Sequence, residues 1–281
     1  MQRTVWSVLV FAALSTVAHA QESGGSEQAI QPPAPLAAPI PVEAAKRYTV
    51  TAGADVLTSY LFRGIHQESA GIVAQPPLDL GVTLGKGVSL NVGHWYSVHS
   101  GPTGSFYEAD YYGSMTFTAG RLKPGVLFTS YTSPNSRFAT VHEVAAFVAL
   151  DDAGSAFPLS PKATVAFEVD GQADGGTARG TYLELAIKPA LKVIDAGPSL
   201  TLAVPVRLGV SLKDYYEGVN GSDRFGFFST GFVASVPVTT GKVVWDLHGG
   251  VDMSWLGANM AALNSNDRFK PIGIFGVTVT Y

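Results

Sequence analysis

The chain ends Lys270-Pro271-Ile272-Gly273-Ile274-Phe275-Gly276-Val277-Thr278-Val279-Thr280-Tyr281. Side chains alternate between the faces of a strand. Phe275, Val277, Val279 and Tyr281 therefore share one face, and Ile274, Gly276, Thr278 and Thr280 the other. A fully apolar face ending in an aromatic suits the closing strand of a membrane β-barrel, with lipid outside, lumen inside and the ring at the interface. An amphipathic edge strand of a soluble β-protein has the same pattern, although a long apolar edge left uncovered invites aggregation. The rest of the chain decides between them.

Only 14% of the 281 residues are charged, with a net charge of −4, 31 glycines and 11% aromatics. Soluble domains carry roughly a quarter charged residues. The chain has no cysteine, which excludes disulfides, thiolate chemistry and cysteine-based zinc sites. It has no basic run or basic–aromatic stripe, so nucleic acid is not an expected partner. No glycine-rich phosphate loop or dinucleotide fingerprint is present, and no cofactor is expected.

Arg3, the apolar run Val5 to Val17 and the small-x-small site Ala18-His19-Ala20 read as a secretory signal peptide over residues 1–20. Residues 21–47 hold Pro32-Pro33, Pro35, Pro39 and Pro41 without strand alternation, and read as a disordered periplasmic linker. The remainder, 48–281, contains no apolar run near the ~20 residues that a membrane helix needs. If it crosses a membrane it does so as a closed barrel, because open sheet edges cannot face lipid.

The alternation predicts an all-β fold, a closed antiparallel transmembrane β-barrel of about twelve strands. Strand one is expected over Tyr48–Ile65, and strands two and three over Leu78–Leu84 and Val88–Val98. Strands four to six are expected over Phe106–Ala119, Pro124–Thr132 and Thr140–Leu150. Strands seven to nine follow over Lys162–Asp170, Arg179–Lys188 and Ser199–Lys213, and strand ten over Phe225–Val236. Strand eleven has the cleanest alternation: Val243, Trp245, Leu247, Val251, Met253 and Trp255 oppose Asp246, His248, Asp252 and Ser254. Strands three and six have mixed faces, because His94 lies in register with Val92 and Tyr96, and Glu143 with Val141 and Phe147. The closing strand is expected to pair antiparallel with strand one. Trp245 and Trp255 lie about 25 Å apart along the membrane normal at ~3.3 Å per residue and ~40° tilt, the spacing of two interfacial girdles. Tyr281 is expected in the periplasmic girdle.

The polar faces place Asp55, Asp79, Glu108, Asp110, Glu168, Asp170, Glu184, Asp246 and Asp252 in the lumen, against Arg63, Lys188, Arg207 and Lys213. His248 joins them. Charged rings set ion preference in a pore. The expected function is a porin-like channel for small solutes or ions with a weak cation preference, residing among the lipids of the bacterial outer membrane. A non-conducting scaffold barrel and an outer-membrane lipid hydrolase are the alternatives. Residues 66–74 are the candidate for a loop folded into the lumen. A hydrolase of this architecture needs a His and a Ser two residues apart on one face. His94 and Ser97, or His99 and Ser100, do not have that spacing, so no catalytic residue is expected. Glu108/Asp110 and Glu168/Asp170 share faces but have no histidine beside them, and no metal site is expected.

The stretch Ala52-Gly53-Ala54-Asp55-Val56-Leu57-Thr58-Ser59-Tyr60-Leu61-Phe62-Arg63-Gly64-Ile65 resembles the opening strand of the TorF family of porins. Tyr60, Phe62, Arg63, Gly64, Ile65 and Gln67 match that family's pattern, while His66 stands where a serine is commoner. The resemblance implies an outer-membrane barrel. In the residues themselves, Arg63-Gly64 reads as a strand terminus, with Gly permitting the bend and Arg63 pointing inward near the outer rim. Residues 273–281 resemble the C-terminal signal by which the barrel assembly machinery recognises its clients, which implies that machinery as a partner.

Overall fold

Alternation of apolar and polar side chains forms twelve antiparallel staves that close on themselves. The computed structural model describes residues 47–194, 199–219 and 221–281. The expected signal peptide, and the expected linker up to residue 46, lie outside them. The first staves are β1 (Tyr48–Leu57), β4 (Val73–Gln75) continued by β5 (Pro77–Gly85), β6 (Val88–His99), β7 (Glu108–Phe117) and β8 (Leu122–Thr132). Between β1 and β4 lies a separate hairpin, β2 (Tyr60–Phe62) and β3 (Ile65–Glu68). The ring goes on through β9 (Val141–Leu150), β10 (Lys162–Asp170), β11 (Thr181–Ile187) continued by β12 (Ala190–Ile194), and β13 (Leu200–Ala203) continued by β14 (Val206–Lys213). A short rim hairpin, β15 (Glu217–Gly218) and β16 (Gly221–Ser222), precedes β17 (Phe225–Thr240), β18 (Val243–Leu256) and β19 (Phe269–Thr280). One helix, α1 (Ala258–Leu263), sits in the connection before β19.

Closure is between the two strands expected to meet. β1 and β19 pair antiparallel, with Thr51 opposite Thr280 and Leu57 opposite Ile274. The outer face of β19 carries Phe275, 66% exposed, whereas Ile274 on the inner face is 6% exposed. The mixed faces also separate cleanly. Val92, His94 and Tyr96 point out while Trp95 and Ser97 are buried inside, and Val141, Glu143 and Phe147 all face in against outward Val144 and Val148.

Three staves are broken in two, at Pro76, Pro189 and Pro205. Proline lacks the N–H that the ladder needs. Across one such break the chain still pairs, Val204 N–H donating to Pro189 O at 2.9 Å.

The expected first strand, Tyr48–Ile65, is not one strand. It leaves the wall at Leu57, and the chain from Tyr60 to Glu68 folds into the barrel as β2–β3. The turn is Arg63-Gly64, with φ of 48° and 83°. Two successive left-handed residues make the tight turn that matches hairpin twist, and glycine supplies one at no steric cost. The lumen is therefore entered by a segment that starts earlier than the expected 66–74.

Candidate functional site

The lumen has two halves. On the periplasmic side its wall is made of small and polar residues: Thr51, Gly53, Asp79, Gly81, Asn91 and Thr278 are all only partly buried. On the extracellular side β2–β3 fills the bore. Tyr60, Leu61, Phe62 and Ile65 are each 5% exposed or less. Phe62 packs edge-on against Tyr131 of β8 at 5.2 Å, and Tyr60 tilts against Trp95 of β6 at 5.7 Å. The space left between Leu57, Leu61, Arg207, Asp252, Ile272 and Ile274 is about 10 Å³, about one water.

Arg63, at the hairpin tip, is the centre of this stopper. Its guanidinium meets Glu143 of β9 on two prongs, Nη1 to Oε2 at 2.7 Å and Nη2 to Oε1 at 2.9 Å. Nη1 also donates to Tyr215 Oη at 2.8 Å, and the guanidinium lies 4.2 Å from the Tyr182 ring centre. Tyr216 donates to the Arg63 carbonyl at 3.1 Å. A buried cation is tolerated only when paired and hydrogen-bonded, and Arg63 has both from three parts of the chain. The opposite base of the hairpin is held by Glu68. Its carboxylate accepts from the N–H groups of Ser69 and Ala70, both at 2.9 Å, and from Thr103 N–H at 3.1 Å and Oγ1 at 2.7 Å. Burial alone would raise the Glu68 pKa, but these donors, the Thr103 hydroxyl foremost, outweigh it and hold the group at about 2.

Thr103 passes this polarity on. A carboxylate only accepts, so Thr103 Oγ1 donates to Glu68 and in turn accepts from His99 Nδ1, 2.6 Å away. That leaves His99 Nε2 to accept from Ser97 Oγ at 2.7 Å. Ser97-Val98-His99 is a Ser–His pair at the two-residue spacing, overlooked among the His–Ser combinations considered from the sequence. The alternation of β6, with Trp95 and Ser97 both inward, was the available signal. The pair has the polarity of a nucleophile and its base. Yet Ser97 and His99 are 0% and 3% exposed. The carboxylate that orients them rides on the hairpin that buries them under Tyr60, 6.0 Å from the His99 ring. The chain is complete only when sealed, and it acts as a latch between hairpin and wall.

The expected lumen residues distribute around this stopper. Glu108 accepts from Tyr60 Oη at 2.9 Å. Asp110 beside it is 1% exposed, and its two oxygens meet no donor among the described residues. Asp55, Asp246 and His248 form a belt across β1 and β18, with His248 Nε2 2.8 Å from Asp55 and Nδ1 3.5 Å from Asp246. Gly276 of β19 makes room for it, since a Cβ there would lie 2.0 Å from Asp55 Oδ1 and 2.5 Å from His248 Nε2. Asp79 accepts from Tyr112 Oη at 2.8 Å, Glu184 from Tyr182 Oη at 2.7 Å, and Asp252 from Arg207 at 3.1 Å. Glu168 accepts from the N–H groups of Ala173 and Gly180, both at 2.6 Å. Asp170 and Lys213 end their strands exposed at the extracellular rim, and Lys188 sits half-buried at the Pro189 break. Trp245 and Trp255 are outward, 45% and 39% exposed, and Tyr281 lies 6.2 Å from the Tyr48 ring.

No protein-family model matches the chain, and no curated protein matches it. The resemblance to the TorF porins thus stays with Tyr60–Gln67, which form the stopper hairpin rather than a wall strand. Among solved structures, the NanC porin is similar over 83% of this chain and 98% of its own, at 11% identity and a TM-score of 0.47. An outer membrane channel from Pseudomonas putida F1 covers 83% of this chain and 95% of its own, with 12% identity and a TM-score of 0.45. OmpF of Salmonella typhi, in complex with daunomycin, covers 83% and 96%, with 9% identity and a TM-score of 0.38.

The fold itself carries the assignment. Its outward face is a continuous apolar band, its inward face buries carboxylates, and its ladder closes without an open seam between β1 and β19. The chain is a closed antiparallel β-barrel with the lipid-facing exterior of a transmembrane barrel.

Proposed function

We propose that this barrel is a channel for small solutes and ions with a preference for cations, and that the β2–β3 hairpin is its extracellular stopper. The observation that carries this is the charge balance of the wall. Arg63 and Arg207 are each paired with a buried carboxylate, Glu143 and Asp252. His248 stands between Asp55 and Asp246, and Glu108 and Asp110 face the bore with no cation beside them among the described residues. A partly dehydrated cation passing the stopper would meet the unsatisfied oxygens of Asp110. The hairpin's match to the TorF pattern supports membership of that porin family. Residues 273–281, paired along the seam, are the proposed recognition segment for the barrel assembly machinery.

Refolded protein in a planar bilayer under a salt gradient tests the reading. Step conductance with a reversal potential toward the cation value is the expected result. An anion-directed reversal overturns the selectivity. A permanently sealed scaffold barrel is the second reading, favoured by the buried Arg63–Glu143 pair. It prevails if neither the natural chain nor an Arg63 variant conducts.

A further inference from the structure

Glu108 and Asp110 lie two residues apart on the inward face of β7, 3% and 1% exposed. The stopper covers them, and Tyr60 of β2 donates to Glu108 Oε2 at 2.9 Å. The two carboxyl groups also stand within hydrogen-bond reach of each other. An ionised carboxylate only accepts, so a bond between the two requires that one of them carry a proton. Glu108 already accepts from Tyr60, and neither Asp110 oxygen meets a donor among the described residues. Both observations fit one arrangement, in which Asp110 is protonated and donates to Glu108. Asp110 finds no donor because it is one.

The surroundings supply no positive charge to take the proton's place. β6 brings Trp95 opposite Asp110 and Ser97 opposite Glu108. His99, next on that face, is neutral in the latch, with one ring nitrogen donating and the other accepting. β8 brings Tyr131 opposite Asp110. β9 brings Glu143, whose charge is taken up by Arg63. Tyr107, the neighbour of Glu108 in the chain, is a phenol stacked on His99. The hairpin itself adds Tyr60 and, at its base, the anionic Glu68 held by Thr103. Two like charges side by side in a buried site do not persist together without a cation, and such pairs hold one proton between them.

We infer that Glu108 and Asp110 share one proton that lets the stopper seat over them, and that its loss in alkali drives the hairpin out of the bore. The inference rests on the reading of β2–β3 as a stopper. When hydroxide takes the proton, two carboxylates oppose each other beneath Tyr60. They then need water, and departure of the hairpin admits it. The Glu68 latch weakens in acid, so the bore is sealed over a middle range of pH and released on either side of it.

Because the full chain has no cysteine, single introduced thiols report this motion without requiring conduction. Thr129→Cys places one on the inward face of β8, at a residue 1% exposed whose hydroxyl has no partner among the described residues. Val219→Cys, at a fully exposed rim position, corrects for the ordinary pH dependence of thiol reactivity. The probe is a charged, water-soluble methanethiosulfonate added to the refolded barrel. Labelling of Thr129→Cys relative to Val219→Cys should be slow at pH about 7. Toward pH about 10 it should rise by up to about tenfold per pH unit, the slope of one proton. Adding Asp110→Asn, whose amide donates to Glu108 at every pH, should abolish the rise. If that variant does not fold, Glu108→Gln, whose oxygen still accepts from Tyr60, serves the same purpose. A relative rate that stays flat, or one that rises unchanged in these variants, overturns the inference. A barrel that labels as expected but passes no current supports the inference and overturns the channel reading alone.

Discussion

Arg63 and Glu143 face each other across the bore as a two-pronged ion pair, with 2.7 Å and 2.9 Å contacts and almost no solvent exposure. One belongs to the stopper, the other to the wall. Removing one partner of a buried pair leaves the other charge unpaired, at a cost of about 3–5 kcal/mol. Arg63→Ala should therefore loosen the hairpin rather than the barrel. Higher single-channel conductance with an intact heat-modifiable gel shift is the outcome to look for. Arg63→Lys should open the bore nearly as much, because an ammonium cannot make both prongs.

The Glu68 latch has its own pH signature. Its carboxyl is depressed from 4.5 to about 2 by its donors. A depressed acid contributes stability above its unfolded value and loses it as pH falls through the folded one. Closure should therefore be constant from neutral pH to about 5 and weaken progressively between 4.5 and 2. Hydrogen exchange of the hairpin amides, followed across that range, checks it. Loss of protection already at pH 6 would count against the latch. In Glu68→Gln the acid dependence should disappear.

Gly276 is a packing prediction. Alanine there drives a Cβ to 2.0 Å from Asp55 Oδ1 and splits the Asp55–His248 contact. A loss of about 1–3 kcal/mol is expected in urea unfolding of the reconstituted barrel. Gly249 is the control: its nearest neighbours would be 3.4 Å from a Cβ, and alanine should be nearly silent.

Selectivity should follow the belt. Asp246→Asn and Asp79→Asn each remove one wall charge, and the reversal potential should move toward zero with each, additively when combined. A double variant as cation-selective as the natural chain would place selectivity elsewhere.

Much of this was legible in the sequence, and the failures have a common cause. Period two identifies which residues share a face, and along β18 Asp246, His248 and Asp252 are buried opposite the exposed Trp245 and Trp255. Period two does not say what a strand pairs with. Tyr60 and Phe62 continue the alternation of β1 through Leu57, so a hairpin inside the lumen looked like more wall. The hint was Tyr60-Leu61-Phe62, three consecutive apolar residues that no two-faced stave needs and that are all buried. The latch was hidden differently. Its four members, Glu68, Ser97, His99 and Thr103, come from three segments, and only Ser97 and His99 show a local spacing.

The stopper's contacts also span much of the chain. Arg63 meets Glu143 eighty residues later and Tyr215 152 residues later. Docking of the stopper is therefore a long-range step: it needs the sixth stave beside the hairpin for Glu143, and the end of the ninth for Tyr215.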